Sequence, residues 1–415
     1  MSSPTSTSTE APLDLSKWRN VPNWLIAIGG IGAVAGFIHD QIHDQSQFAF
    51  SWLLAYMFFL SLGLGGLGMV ILHHLFDASW SVPIRRICEH LACLLFPWMA
   101  VLFIPIALLA KKLYAWMSLI HETPVEHSVA SKYPLFTMQG YYGVVVVCFA
   151  VWWLLSRNLR YWSLEQDKTG AVECTRKLRR YAASGVVLFA LTLTIAAIMW
   201  MKALQHEWFS TMYGVWYFAA SMWVTLYTIY LLTVLLKRQG PLRDVATDKT
   251  FYFIGSLMFA FTVFYAYVTF FQYFIIWNAN MPEETFWFVL REKGTWWDIG
   301  LVIIFGHFFL PFLLLLRIDV KVSKLWIMIP LGLWAWAMHF VDISFQVMPA
   351  KHPNGFVLHW MDIACMMFIG GVLAKVFLKD LNSHPIVPLK DPRFAEAMDI
   401  YVAPAGAKPE SGGGH

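Results

Sequence analysis

Four ionisable side chains fall in the last two long apolar stretches of this sequence, His339 and Asp342 in one and His359 and Asp362 in the next. Each pair is spaced i,i+3, which puts both groups on one face of a helix. An ionisable group at membrane depth costs roughly 2.5–3.5 kcal/mol on insertion scales, so these positions are informative. At 1.5 Å per residue, His339 and Asp342 stand about 12 and 7 Å from the outer end of a span that closes near residue 347. By the same rise, His359 and Asp362 lie about 7 and 12 Å below the start of a span opening near residue 354. The depths match crosswise, so His339 is expected to face Asp362, and Asp342 to face His359. His307, in the preceding stretch, falls near the deeper level. Imidazole beside carboxylate titrates where protons exchange at neutral pH, and the expected chemistry is a proton relay. Two other readings of the same residues stay open: buried ion pairs that satisfy one another, and three imidazoles ligating a b-type haem.

A second polar group belongs to the opposite membrane face. His73 and His74 close the second apolar stretch and Asp77 follows, while Glu89 and His90 come one turn after Arg85 and Arg86. These could form a cytoplasmic proton entrance, or they could be interfacial charges that snorkel to water. Between the two groups, Tyr213, Tyr217, Ser221, Thr225, Thr228, Thr262, Tyr265, Tyr267 and Thr269 supply hydroxyls. Hydroxyls pass protons through water, and in membranes they also serve as ordinary helix-packing groups. The expected route runs from His73, Glu89 and His90 past Tyr217, Thr225 and Tyr265 to His307, His339, Asp342, His359 and Asp362.

The elements that must hold these groups are membrane spans. The chain has 415 residues, 58% of them hydrophobic, 17% aromatic and only 13% charged, where a soluble domain averages about 25% charged. With 21 Trp, 33 Phe and a mean hydropathy of +0.56 there is too little polar surface to cover a globule in water. The class is therefore all-α, a polytopic membrane protein. Ten stretches are long enough to cross: residues 23–38, 48–76, 84–110, 135–156, 181–204, 209–236, 251–278, 298–316, 325–347 and 356–378. The first is short and glycine-rich, and a rival reading makes it a secretory signal with a cleavage-like Ala33-Val34-Ala35. Residues 1–22 read as a disordered tail with Ser and Thr in its first part, and residues 379–415, rich in Pro and Gly, as a poorly folding tail.

Charge sets the expected orientation. Of the 30 Lys and Arg, the segments on the side of the N-terminus hold 20. The other side holds the 7 residues Lys111, Lys112, Lys132, Lys202, Arg291, Lys293 and Lys351, and the distal tail the 3 residues Lys390, Arg393 and Lys408. The positive-inside rule then places both termini in the cytoplasm. The net charge of +4 is spread over short loops, which excludes nucleic acid as a natural partner. Five cysteines with no CxxC pair build neither an iron–sulfur centre nor a structural metal site in this chain. Of the outer connections, residues 111–134 are long enough to reach away from the bilayer. Residues 279–297 should form an amphipathic helix in the outer interface, anchored by Trp287, Trp296 and Trp297. That helix could equally be a docking surface for a peripheral protein.

Three motifs carry a family resemblance: YFIIWNANMPEETFWFVLR at 273–291, HEWFSTMYGVWYFAASMW at 206–223 and GHFFLPFLLLLR at 306–317. They resemble the NrfD-like, polysulfide-reductase-type membrane subunits, in particular the ActF type of bacterial alternative complex III, a quinol:electron acceptor oxidoreductase. The resemblance covers most of the chain from about residue 24 to 378, although no internal sequence repeat is visible.

The resemblance implies two four-helix bundles, residues 48–204 and 209–347, flanked by helices at 23–38 and 356–378. It also implies a respiratory assembly in the bacterial inner membrane. Its partners would be a quinol-binding sister subunit, a periplasmic iron–sulfur protein, multihaem cytochromes c and small membrane subunits, with haem c and iron–sulfur clusters on those chains. In the sister subunit the quinol site is expected in the first bundle near the periplasmic face. Here residues 94–110 hold no ionisable group and the next span offers only Gln139. Quinol oxidation releases two protons and needs a base, so this chain is expected not to oxidise quinol itself. The alternative keeps the outer His/Asp cluster as the proton acceptor of a quinol or quinone bound to this chain.

Overall fold

The computed structural model describes residues 20–120 and 126–398. Ten helices in it are long and apolar enough to cross a membrane. They are α1 (Val21–Ile42), α2 (Gln47–Phe76), α3 (Ser79–Leu108), α4 (Met138–Thr169), α5 (Val172–Trp200), α6 (Tyr213–Gln239), α7 (Asp248–Ala279), α8 (Trp296–Leu315), α9 (Leu325–Ala350) and α10 (Trp360–Ser383). An even number of crossings leaves both described ends on one face.

Helix α2 is the axis of the molecule. It is apolar all round and buried without a break from Gln47 to Ile71, the pattern of a helix enclosed by other helices. Its glycines let neighbours approach. A Cβ on Gly65 would meet Thr225 Oγ1 of α6 at 2.1 Å and Ser221 O at 2.7 Å, and one on Gly66 would meet Leu91 Cβ of α3 at 2.6 Å. Helices α2, α3, α4 and α5 close one ring of neighbours, and α6, α7, α8 and α9 close a second. The rings join where α2 and α5 lie against α6 and where α9 lies against α2. Helix α1 rides on α10 outside both rings, through Gly29 and Gly32, whose Cβ atoms would meet Phe368 N at 2.4 Å and Ala364 Cβ at 2.7 Å. The triplet Ala33-Val34-Ala35 is helical and lies mid-span, with Ala33 buried.

Several element boundaries differ from expectation, each for a local reason. Helices α4 and α5 run to Thr169 and from Val172, well past the expected ends at 156 and 181. A helix is not obliged to stop at the membrane surface, and the turn comes only at Gly170, which takes the left-handed φ of +66° that glycine adopts freely. Helix α3 is broken instead of continuous. Beyond Cys93 a π-turn at Leu95–Met99 carries an extended Phe96, and short turns Ala100–Leu102 and Ile104–Leu108 follow. Pro97 and Pro105 lack the amide hydrogens that a continuous helix needs.

The interface helix Pro282–Arg291 starts as expected, with Pro at its first position and Glu283 and Glu284 in the first turn. Its anchoring differs. Trp287 and Trp296 are buried in protein, and only Trp297 is exposed. Trp287 stacks on Trp208 with ring centroids 4.5 Å apart, and Trp296 Nε1 donates to His352 O at 2.7 Å. Part of the C-terminal tail is also ordered. Residues 384–398 cross the face that carries both ends, with Val387 and Ala397 buried and a short helix at Phe394–Ala397. Residues 1–19, 121–125 and 399–415 lie outside the described set, and with them most of the expected N-terminal tail and the end of the C-terminal one.

Candidate functional site

The second ring of helices encloses a set of polar side chains drawn from four of its members. His339 on α9 lies 2.8 Å, Nε2 to Oγ, from Ser61 of α2. Ser61 donates its single hydrogen to Phe58 O at 2.6 Å, so it accepts from His339 Nε2–H. That fixes the tautomer and leaves His339 Nδ1 as a bare lone pair, buried and without a partner.

One turn outward on α9, Asp342 is 1% exposed, and its Oδ2 has no hydrogen-bond partner. The phenol of Tyr265 on α7 faces this carboxyl and is itself unpartnered. His307 comes from a π-helical stretch of α8, Ile303–Phe309, a geometry that recurs at functional sites. Its ring lies between Trp223, 3.7 Å away, and Tyr265, 3.9 Å away, both stacked parallel to it. Trp223 is held in turn by donating to Thr262 at 3.0 Å. Both nitrogens of His307 are buried without a partner, as is Nε1 of Trp216. Each such orphan costs about 1–3 kcal/mol, so the cluster is not explained as a stabilising feature. A bare imidazole nitrogen, a carboxyl and a phenol grouped in this way are proton acceptors and donors.

His359 and Asp362 do not join this cluster. Asp362 accepts from Ser51 of α2 at 2.5 Å and from the backbone N–H of His359 at 2.9 Å, while His359 Nδ1 accepts from Met361 N–H at 3.3 Å. The pair is a reciprocal cap on the first turn of α10. Neither crosswise pair forms among the described residues. Helix α10 starts at Trp360, six residues later than the depth arithmetic assumed, and α2 stands between α9 and α10, taking His339 at Ser61 and Asp362 at Ser51. The three imidazoles expected as haem ligands are therefore not brought together, since His359 belongs to the cap of α10, and aromatic rings cover both faces of His307.

Of the hydroxyls between the two groups, Tyr217, Thr225, Thr228 and Thr262 donate to backbone carbonyls, whereas Ser221 and Thr269, like Tyr265, are buried without a partner. Tyr217 donates to Met57 O at 2.8 Å and Thr225 to Ser61 O at 3.4 Å, pinning α6 to α2. Below Ser61, α2 presents only apolar residues and glycine as far as His73, about 18 Å by helix rise.

At the face of the chain ends the arginines do not snorkel. Arg85 and Arg86 are 1% and 0% exposed, and with Arg160 of α4 they surround one carboxylate, Glu89. The distances to Glu89 are 3.1 Å from Arg85, 2.7 Å from Arg86 and 2.7 Å from Arg160, and Ser163 donates to it at 2.5 Å. Arg85 also bonds Asp391 of the tail and Arg86 bonds Asp167. His90 Nε2 is 3.4 Å from Arg160, and His73 Nδ1 is 2.7 Å from Ser81 Oγ. His74 Nε2 is buried and unpartnered. With Glu89 held by three guanidinium groups, its carboxylate is committed to buried ion pairs.

Two features at the face away from the chain ends were not marked by residue spacing. Arg291, at the end of the interface helix, is 2% exposed and caps the last turn of α9, donating to Phe345 O at 2.9 Å and Gln346 O at 3.0 Å. Burial lowers its pKa to about 9, so it is charged at neutral pH. Glu126, His206 and Glu207 bring ligand atoms within 4.8 Å of one another, with the Lys132 ammonium bonded to His206 O as the cation beside them.

The chain matches no protein-family model, and no curated protein sequence matches it.

Proposed function

We propose that this chain is a proton-handling and scaffolding membrane subunit of a quinol:electron acceptor oxidoreductase of the alternative complex III type. In this reading it sits in the bacterial inner membrane with both termini cytoplasmic, and electron transfer runs through haem c and iron–sulfur clusters on partner subunits. A quinol-binding sister subunit provides the base that the outer half of α3 lacks.

The observation that carries the proposal is the cluster of buried, unpartnered proton donors and acceptors at His307, His339, Asp342 and Tyr265. It is confined to the second ring and the face of α2 that meets it. The ring-one cluster around Glu89 is the scaffold, and the α10 pair is a helix cap. The proton route is thus shorter than the one expected from sequence and leaves out Glu89, His359 and Asp362.

The test is the number of protons moved per electron by the assembled complex in vesicles. Asp342→Asn should lower that ratio with quinol turnover retained, while Asp362→Asn should leave it unchanged. An unaltered ratio in the Asp342 variant would remove the proposed role. Loss of quinol oxidation itself in that variant would select the alternative, in which the same carboxyl serves a quinol bound to this chain.

A further inference from the structure

Among the described residues, Arg291 is a buried cation with no counter-ion. No carboxylate of the described residues lies within ion-pair distance of it, and its hydrogen-bond acceptors are neutral: the carbonyls of Trp287, Phe345 and Gln346, and Gln205 Oε1 at 3.3 Å. Its guanidinium lies 3.4 Å from the centre of the Trp287 ring and 5.6 Å from that of Phe345. A helix C-terminus can be capped by neutral donors, so the charge asks for its own explanation. Its position supplies one. Phe345 and Gln346 are three and four residues beyond Asp342 on α9, so the guanidinium sits one turn outward of the carboxyl. Tyr213, at the start of α6, stands in electrostatic range of both groups. The aromatic rings and the end of α9 exclude water around a fixed positive charge, between the proton-bearing cluster and the outer surface.

We propose that Arg291 is the electrostatic barrier that closes the outer end of the Asp342 compartment to protons. A fixed guanidinium in a narrow passage repels hydronium and breaks a proton-conducting file of water. In a low-dielectric site the repulsion is strong and little screened by salt. Protons taken up by the cluster would then leave it only when turnover rearranges the outer end of α9, not by passive exchange with the outer medium. This inference rests on the proposed role of Asp342.

The experiment is passive proton leak, without quinol, of vesicles that contain the purified complex, under an imposed potential and read with an internal pH dye. Arg291→Gln should raise the leak about tenfold. Arg291→Lys, which keeps the charge, should stay near the parent. Gln205→Glu leaves the arginine in place but sets a carboxylate beside it, and should also raise the leak. This second route covers an Arg291→Gln chain that fails to assemble. A tight Gln205→Glu or Arg291→Gln protein overturns the barrier, and equal leaks in the Gln and Lys variants reduce Arg291 to a helix cap. The double variant Arg291→Gln, Asp342→Asn separates the two ideas. Return to the parent leak supports both, whereas an undiminished leak retains the barrier and removes Asp342 from the path.

Discussion

Glu89 compensates three guanidinium groups at once, and this is where a single atom exchange should matter most. Glu89→Gln keeps shape and volume but leaves Arg85, Arg86 and Arg160 to share Asp391 and Asp167. Breaking a buried ionic network by removing one partner costs about 3–5 kcal/mol, so the variant should show a clearly lower thermal midpoint in detergent. A midpoint within a degree of the parent would mean that the network is dispensable. Lys202, in the connection between α5 and α6, gives the opposite case. It is 5% exposed, and burial lowers its pKa to about 7 with the nearby Lys132 charge adding to the effect. Its folded value lies below the unfolded value of 10.5, so the unfolded chain binds more protons between those limits. The penalty is therefore full below about pH 7 and fades as pH rises toward 10. Lys202→Met should raise the midpoint at pH 6 and lose that advantage near pH 10. At this scale the sequence revealed residue types well and partners poorly. Both HxxD pairs obey the same spacing, yet one points into the second ring and the other caps its own helix. What separates them is where α10 begins, and a membrane-depth argument blurs that boundary by several residues.

At the scale of the element, close approach is set by glycine. The contact of α2 with α6 depends on Gly65, since a Cβ there would overlap Thr225 Cβ at 2.6 Å and the backbone oxygen of Ser221 at 2.7 Å. The backbone oxygen cannot swing away. Gly65→Ala should therefore push the helices apart, weaken the Thr225 bond to Ser61 O and destabilise the chain by about 1–3 kcal/mol. Gly143, in the interior of α4, is the control: a Cβ there meets nothing within 4 Å, and Gly143→Ala should be neutral or stabilise by up to about 1 kcal/mol. Thermal midpoints of the two variants, measured side by side, check the contrast, and equal effects would show that helix propensity outweighs packing. The spans themselves were readable because 18 or more apolar residues have few other uses in a chain of this composition. The break in α3 was signalled by Pro97 and Pro105, whereas the extensions of α4 and α5 beyond the apolar stretches were not. Their polar residues fit loop and helix equally well, and only Gly170 marks the turn.

For the whole molecule, the C-terminal segment closes the face that carries both chain ends. Asp391 reaches Arg85, Arg393 reaches Asp77, and Lys390 donates to Lys168 O, so one short stretch fastens the ends of α2, α3 and α4. Its Pro and Gly content suggested a poor folder, but a segment that forms little regular structure can still be ordered by charges waiting on a rigid surface. Ending the chain after His384 should leave the ten spans in place while removing one partner each from Arg85 and Asp77, and the thermal midpoint should fall. The pH dependence of that fall is its signature. Burial acts to raise the pKa of Asp77, but the bonds from Arg393 and Arg179 outweigh it and hold the carboxyl below its ordinary 3.8. A depressed carboxylate contributes stability above its unfolded pKa and loses it as pH falls through the folded one. The gap between full-length and shortened chains should thus be open at pH 7 and narrow below about pH 4, and in high salt the part-exposed Arg393–Asp77 pair should weaken before the buried Arg85–Asp391 pair. A gap that is the same at pH 7 and pH 3.5 would assign the tail's contribution to the packing of Val387 and Ala397 rather than to charge.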